Sequence, residues 1–225
     1  MGGQACVLYG AAEFSRDTDL AVLAEPVNLQ AINAAVAELK ADVIALPPFE
    51  PAYLEKGHAI HFRCRREDVQ GMRVDIMAKM RGVDDFKTLW SRRTEVETLD
   101  GVFQLMSLPD LIQAKKTQRD KDWPMIRRLV DRHFFENRTS GSNEKIRFWL
   151  KEMRTPELLI EIANMDSSLC REVAHVRPLL EAALNGNRDA VELGLDAEEK
   201  RERAADREYW KPLKKELEAL RHARL

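Results

Sequence analysis

Apolar and polar residues alternate with a period of two at several places in the first half of the sequence, a pattern typical of half-buried strands. Residues 17–23 alternate so that Asp17 and Asp19 lie on the face opposite the aliphatic side chains. Residues 73–77 alternate in the same way and place Asp75 on the polar face. The hydrophobic pattern therefore predicts two strands that carry carboxylates away from their apolar side.

Further strands and helices are predicted around these two. Residues 60–65 alternate and are separated from the next strand by a polar turn, as in a hairpin, while residues 94–106 form a second hairpin around Asp100-Gly101. Residues 43–46 are predicted as a buried strand that ends at two prolines. Helices are predicted over residues 4–10, 29–39 and 86–93, with Asn28 as the N-cap of the second.

The second half of the sequence has a helical pattern throughout. One helix is predicted to begin at Ser107, where Asp110 completes a capping box, and another has Asp122 as its N-cap. Residues 137–143 are rich in Asn, Ser, Thr and Gly, which predicts a linker. The predicted domains are an α+β domain and an all-helical C-terminal domain, at residues 1–136 and 144–225.

Composition narrows the classes of protein that fit. Hydrophobic residues are 44% and charged residues 33% of the chain, as in a globular protein with a charged helical surface. The net charge of -2 excludes a global basic field for nucleic acid or anionic membranes, and no apolar run is long enough to span a bilayer. Cys6, Cys64 and Cys170 are distant and odd in number, which predicts buried thiols in a cytoplasmic protein.

The three strand aspartates are the strongest chemical signal. Two aspartates at i and i+2 lie about 6–7 Å apart on a strand, and at an effective dielectric constant near 20 they repel by roughly 2–3 kcal/mol. A third carboxylate beside Asp17 and Asp19 indicates a divalent cation, because Mg²⁺ prefers carboxylates, water and phosphate oxygens. The alternative is structural: Asp17 as a turn residue and Asp19 as a solvated edge charge.

A longer motif surrounds these aspartates. Gly2-Gly3, thirteen further residues, Asp17-x-Asp19 and then an apolar-Asp-apolar strand at Asp75 resemble the nucleotidyltransferases of the DNA polymerase beta superfamily over about residues 2–130. The similarity is closest to the small prokaryotic abortive-infection branch, whose toxins belong to toxin–antitoxin pairs. The resemblance implies a mixed sheet flanked by helices.

The resemblance also implies roles for individual residues. The glycine pair, Gly2 and Gly3, would hold the triphosphate of an NTP at a helix N-terminus. Asp17 and Asp19 would ligate Mg²⁺, with Mn²⁺ as the alternative ion. Asp75 would ligate metal and activate a hydroxyl of an RNA, protein or small-molecule acceptor, with release of pyrophosphate.

Four more residues are assigned to nucleotide binding by the same resemblance. Ser15 belongs to this set, as do Lys115 and Arg119, which are predicted to lie one turn apart on a helix, with Lys121 as a helper. A solvated basic face beside a capped helix is the alternative for the cations, and an N-cap role is the alternative for Asp122.

Three alternatives to this function or site remain open on the sequence. Family members carry a strand ahead of the glycine pair, whereas this sequence begins there, so a degenerate fold that acts as a binding or regulatory module is one alternative. A toxin whose helical region binds an antitoxin protein is another. A basic border for a polynucleotide acceptor is the third, although solvated surface charge is favoured for its members, Arg63, Arg65, Arg66, Arg92 and Arg93.

Overall fold

A computed structural model describes residues 1–223, and these form an α+β fold, as predicted. The strands are β1 (Asp17–Ala21), β2 (Asp42–Val43), β3 (Ile60–Arg63), β4 (Arg73–Met77), β5 (Thr94–Thr98) and β6 (Gly101–Leu105). The helices are α1 (Gly2–Leu8), α2 (Pro26–Glu38), α3 (Pro51–Lys56), α4 (Phe86–Ser91), α5 (Leu108–Lys115), α6 (Asp122–Asn137), α7 (Asn143–Glu152), α8 (Pro156–Met165), α9 (Ser167–Ala174), α10 (Leu180–Leu184) and α11 (Arg188–His222). None of the helices within this range combines the length and apolar character needed to cross a membrane.

A mixed four-stranded sheet positions the predicted aspartates. Its strand order is β1-β4-β3-β2, with β1 parallel to β4 and the other two pairs antiparallel. The predicted hairpin of β3 and β4 is confirmed, and so is the hairpin of β5 and β6 around Asp100-Gly101. The sheet thus brings the two aspartate-bearing strands side by side.

The apolar face of the sheet anchors this part of the chain. Its buried core consists of Val22, Leu29, Leu54, Ile60, Phe62 and Ile76. Burying each such side chain is worth about 1.5–3 kcal/mol, so the packing of this face holds the strands while their polar face stays open to other roles.

Two local predictions in this region are wrong. The strand predicted at residues 43–46 is neither long nor buried: β2 has two residues and Val43 is 40% exposed, because β2 is at the sheet edge and prolines follow it. Asn28 does not cap α2, which begins two residues earlier with Pro26 in its first turn. Instead the Asn28 side-chain amide donates to the carbonyl of Leu23 at 2.8 Å.

The described residues form two compact units. The first contains Met1–Ala114 and the residues from Arg207 onwards, and the second is Lys115–Asp206. The predicted linker at residues 137–143 therefore lies inside the second unit. It is a loop between two packed helices, since the rings of Phe134 and Trp149 meet edge to face at 5.1 Å. Residues 224 and 225 of the predicted C-terminal domain lie outside the described range.

A largely buried ion pair lies at the end of α7 in the second unit. The Arg177 side chain is 6% exposed and pairs with Glu198 at 2.9 Å. Its guanidinium also donates to the carbonyl oxygens of Leu150 and Met153, at 2.6 and 3.0 Å. These carbonyls lie at the end of α7, where the helix itself supplies no donors, so Arg177 satisfies the helix end.

Candidate active site on the polar face of the sheet

Six charged or titratable residues meet across three adjacent strands on the polar face of the sheet. They form two rows of register partners, His61, Asp75 and Asp19 in one and Arg63, Arg73 and Asp17 in the other. Neighbouring strands are about 4.8 Å apart, so side chains within one row lie within reach of ionic contact. The strand register thus brings the three predicted aspartates to one face, as the period-two alternation requires.

The glycine pair lies directly against Asp19. Gly2 has a φ of +63°, and a Cβ atom there would lie 1.7 Å from Asp19 Oδ2. The backbone N–H of Gly3 donates to the same oxygen at 3.2 Å. A Cβ on Gly3 would lie 2.3 Å from Ser15 Oγ. Both glycines are therefore required by close approach of the chain to its own carboxylate and hydroxyl groups.

Ser15 connects α1, which begins at the glycine pair, to the start of β1 through hydrogen bonds. Its hydroxyl donates to the Asp17 carbonyl at 2.9 Å, and its own carbonyl accepts from the Gln4 side-chain amide at 3.1 Å. The backbone nitrogen of Met1 donates to the Asp19 carbonyl at 2.8 Å, on the strand at the sheet edge. The predicted nucleotide-binding residues of this segment thus form one connected structure with the first two aspartates.

Asp75 is already paired with a cation of the chain itself. The Arg73 guanidinium donates from Nε to Oδ1 at 2.9 Å and from Nη2 to Oδ2 at 3.0 Å. His61 Nδ1 lies 2.8 Å from Oδ1. Burial acts to raise the pKa of Asp75, but the hydrogen bonds and charges of His61 and Arg73 outweigh it and lower the pKa. The carboxylate is therefore held ionised.

The positive charge of Arg73 interacts favourably with all three aspartate carboxylates. The pKa of Arg73 is raised first by its hydrogen bond to Asp75, and the charges of Asp17 and Asp19 add to the effect. Sequence reasoning missed this residue. The available signal is its position two residues before Asp75 in the same strand, since that spacing places both side chains on one face.

His61 is the second residue that sequence reasoning missed. Its Nδ1 atom lies 2.8 Å from Asp75 Oδ1 and 3.0 Å from Arg73 Nη2. One ring nitrogen either donates or accepts, so Nδ1 serves one of these partners at a time. His58 is buried elsewhere in the same unit, where its Nε2 contacts Glu216 at 2.8 Å.

The three predicted phosphate-binding cations lie in the second unit, and two of them, Lys115 and Arg119, pair with Asp122. Asp122 is 2% exposed and accepts from Lys115 at 3.4 Å and from Arg119 at 2.7 Å. Its predicted N-cap role is wrong, because Asp122 is the first residue of α6 and, among residues 1–223, makes no capping hydrogen bond. The single helix predicted for the two cations is also wrong, because α5 ends at Lys115. Between Lys115 and Arg119, a side chain in place of a helical carbonyl accepts a backbone hydrogen bond: the Gln118 N–H donates to Asp206 at 2.8 Å. Lys121 occupies the N-cap position of α6.

The basic border predicted as an acceptor-binding alternative consists mainly of paired surface arginines. Arg65 pairs with Asp42, and Arg66 pairs with Asp68 at 2.7 Å. Arg92 donates to both carboxylate oxygens of Asp110, at 2.7 and 2.6 Å. Asp110 also belongs to the predicted capping box: its backbone N–H donates to Ser107 Oγ at 3.4 Å, as predicted, and Ser107 Oγ donates to Asp110 Oδ2 at 2.6 Å. These pairs fit the structural alternative.

The donor set does not match a three-carboxylate metal site as arranged here. Among residues 1–223, no group of three or more His, Cys, Asp or Glu side chains is placed to hold a metal ion. Two of the three carboxylates already have partners: Asp75 accepts two hydrogen bonds from Arg73, and Asp19 accepts one from Gly3 N–H. Asp17 and Asp19 alone have the chemistry of hard cation ligands at this face.

The cysteines behave as predicted within the described residues. Cys6, Cys64 and Cys170 are free and buried. Burial raises the pKa of the Cys170 thiol, which suits an inert structural group. The candidate site therefore depends on carboxylate and guanidinium chemistry.

Comparison with known proteins adds no family assignment. No family model matches the chain, and no significant match was found among curated proteins or among solved structures. The resemblance to nucleotidyltransferases accordingly stays a prediction that depends on the residues described above.

Proposed function

We propose that the chain transfers a nucleoside monophosphate from an NTP to a hydroxyl acceptor, with release of pyrophosphate. The observation that supports this most is the register of Asp19 with Asp75 on adjacent parallel strands, with Asp17 two residues earlier on the same face. The contact of the glycine pair with Asp19 adds support. A nucleotidyltransferase-like fold, a cytoplasmic location and a requirement for Mg²⁺ or Mn²⁺ are parts of the same proposal.

In the proposed reaction, Asp75 is the proton acceptor for nucleotidyl transfer. The acceptor oxygen forms a bond to the α-phosphorus of the NTP, and the bond from that phosphorus to the bridging oxygen of pyrophosphate breaks. The hydroxyl proton passes to a carboxylate oxygen of Asp75. Because Arg73 and His61 lower the pKa of Asp75, its basicity rises when Arg73 moves away. A divalent cation, when bound, offsets the negative charge of the triphosphate.

Phosphate contacts are assigned to backbone and basic groups. Gly2, Gly3 and Ser15 border the aspartates, and the Gly3 N–H would exchange its present acceptor, Asp19, for a phosphate oxygen. We propose Lys115, Arg119 and Lys121 as phosphate-binding cations. Lys115 and Arg119 would have to leave Asp122 for that role.

A label-transfer assay tests the proposal. The protein is incubated with Mg²⁺ or Mn²⁺ and α-labelled NTPs, against RNA, protein and small hydroxyl acceptors. We expect the double variant Asp17→Asn/Asp19→Asn to lose at least about 100-fold in rate, the scale of a lost electrostatic contact in catalysis. Asp42→Asn is the matched control, because Asp42 is an exposed strand aspartate on β2, at the opposite edge of the same sheet from Asp17 and Asp19. Equal labelling by the double variant and the parent would overturn the proposal.

One observation favours a second candidate, a binding or regulatory module. Arg73 already neutralises the carboxylate that would activate the acceptor. Calorimetric titration with ATP or CTP separates the two candidates, since a module that binds protein partners gives no metal-dependent nucleotide heat. Metal-dependent heat that is lost in Asp17→Asn/Asp19→Asn favours the enzyme.

A further inference from the structure

We propose that a small pocket at the end of β1 binds the base of a nucleotide, through apolar walls and N–H donors. The NTP is taken from the proposed function, on which this assignment of the base therefore rests. The pocket is completed by α4 and by the end of β6, which lie outside the predicted motif.

The pocket lies beside the strand that carries the first two aspartates. Leu20 and Ala21, the last two residues of β1, line it together with Met1. The backbone nitrogen of Met1 donates to the Asp19 carbonyl at 2.8 Å. Every lining residue belongs to the first unit. A ring bound here would therefore lie next to Asp19, a residue of the proposed active site.

The walls of the pocket suit a flat apolar group. Leu20 and Trp90 are 43% and 46% exposed, and exposed apolar side chains at a concave site are typical of ligand pockets. The rings of Phe86 and Trp90 are nearly parallel, with an interplanar angle of 19° and centroids 5.7 Å apart. The pocket is partly open and has a volume of about 90 Å³. A closed cavity of about 150 Å³ holds benzene, so a ring would enter this pocket by one edge.

The polar groups of the pocket include two hydrogen-bond donors. Gln104 Oε1 accepts from Arg93 Nε at 2.6 Å, which leaves the two N–H groups of the Gln104 amide for a ligand. The Trp90 indole N–H can only donate. Within residues 1–223, neither side chain has an acceptor for these N–H groups. The pocket therefore favours a ligand that carries hydrogen-bond acceptors at its edge.

Arg93 holds both donor side chains, and its own charge is offset. Its guanidinium lies 4.3 Å from the centre of the Trp90 ring, and Nη1 donates to the Trp90 carbonyl at 2.9 Å. Nη2 pairs with Glu95 at 2.7 Å. Because Glu95 offsets the charge of Arg93, and because burial of an unpaired charge is costly, the ligand group that fits best is uncharged.

A nucleobase has this combination of properties. It is planar and uncharged at neutral pH, and its edge carries carbonyl oxygens or ring nitrogens that accept hydrogen bonds. Bases also pack readily against aromatic side chains. A phenylalanine or tryptophan side chain is planar but offers no acceptor, so it would leave the donors of Gln104 and Trp90 without partners.

Nucleosides without phosphate test the pocket in the full chain. We expect uridine, cytidine, adenosine or guanosine at millimolar concentration to shift the indole Nε–Hε NMR resonance of Trp90, because the N–H gains an acceptor. Trp90→Phe identifies this resonance by its disappearance. The indole of Trp210, which is partly exposed outside the pocket, reports non-specific stacking and should not shift. No shift of Trp90 with any nucleoside, equal shifts of Trp90 and Trp210, or the same shift with ribose would overturn the proposal.

Removal of the Gln104 donors gives a quantitative test, followed by titration of the Trp90 resonance. We expect Gln104→Leu to bind nucleosides at least about five-fold more weakly than the parent, the lower end of the range for a hydrogen-bonded contact with a base edge. The matched control is Gln70→Leu, the same change at an exposed position outside the pocket. This control should stay within about two-fold of the parent, as a surface substitution. Equal affinities of the two variants would overturn the proposal.

These readouts separate the base pocket from the proposed function, since they involve neither triphosphate nor transfer. Nucleoside shifts at Trp90 without labelling of any acceptor would support the pocket and overturn nucleotidyl transfer. Labelling that Asp17→Asn/Asp19→Asn abolishes, together with a Trp90 resonance that no nucleoside shifts, would support transfer and overturn the pocket.

Discussion

Substitution of Gly2 by alanine tests the packing of the glycine pair against Asp19. The added Cβ would lie 1.7 Å from Oδ2, 2.4 Å from Cγ and 2.6 Å from Cβ of Asp19. Because the Cβ of Asp19 is itself too close, rotation of the carboxylate cannot relieve the contact. Helix α1 has to move away from β1, and the Gly3 N–H bond to Asp19 is lost.

The expected loss for Gly2→Ala is the sum of two effects. A residue with a Cβ in the left-handed region costs about 1–2 kcal/mol, and Gly2 has a φ of +63°. A hydrogen bond to a charged acceptor contributes about 1.5–3 kcal/mol. We therefore expect the free energy of unfolding to fall by about 3 kcal/mol, measured by urea unfolding followed by circular dichroism.

Gly71→Ala is the control for this prediction. Gly71 has a φ of +83°, but nothing lies within 4 Å of the Cβ that an alanine would add. This variant keeps the backbone strain and omits the collision with Asp19, so its loss should be about 1–2 kcal/mol. Equal losses for Gly2→Ala and Gly71→Ala would refute the reasoning, because they would show that the approach to Asp19 has no energetic consequence.

Two further predictions concern the second unit. Arg177→Ala should lower the free energy of unfolding by about 2–3 kcal/mol, because it removes one of the two arginines that pair with Glu198 and the donors to two carbonyls at a helix end. Urea unfolding checks this: the exposed Arg188→Ala is expected to change little, and an equal effect of the two would contradict the prediction. Burial lowers the pKa of His133, whose Nδ1 accepts from Trp149 Nε1 at 2.8 Å. Stability should therefore be complete above the unfolded pKa of about 6.5 and decrease as the pH falls below it, and His133→Gln should weaken this dependence; identical urea midpoints for the parent at pH 7 and pH 5 would count against it.

The face of the sheet on which each strand side chain lies could be predicted from the sequence, because successive side chains of a strand point to opposite faces. Once residues 17–23 and 73–77 are strands, Asp17, Asp19 and Asp75 have to point away from the apolar side. Short turns in the sequence predict the two hairpins, but the sequence does not reveal that β1 pairs with β4 or in what register, since that pairing depends on the whole core. The register of Asp19 with Asp75 therefore became known only from the structure.

The basic segment after α5 shows why local spacing was insufficient. Lys115 and Arg119 have the spacing of one helical turn, yet Arg119 follows the helix end. Buried Asp122 attracts both cations, and a charged partner at low exposure outweighs modest helix propensity. From the sequence, Asp122 was predicted as an N-cap, because a polar residue just before Trp123-Pro124 has the pattern of a helix start. That local pattern does not show that the side chain is buried.

Arg73 was missed for a related reason. Its charge was visible in the sequence, but its rotamer and partner were not, and an arginine beside a strand aspartate is equally compatible with a solvent-facing side chain. The structure shows a bidentate pair with Asp75. This contact changes the expected site from three free carboxylates to a carboxylate cluster with its own cation.

Release of pyrophosphate from an NTP, measured with and without Mg²⁺ in the presence of the acceptor panel, tests the central claim most directly. We predict Mg²⁺-dependent release by the parent and by Asp42→Asn, and a loss of at least about 100-fold in Asp17→Asn/Asp19→Asn. Release that is equal in the parent and the double variant, or that needs no divalent cation, would contradict the account.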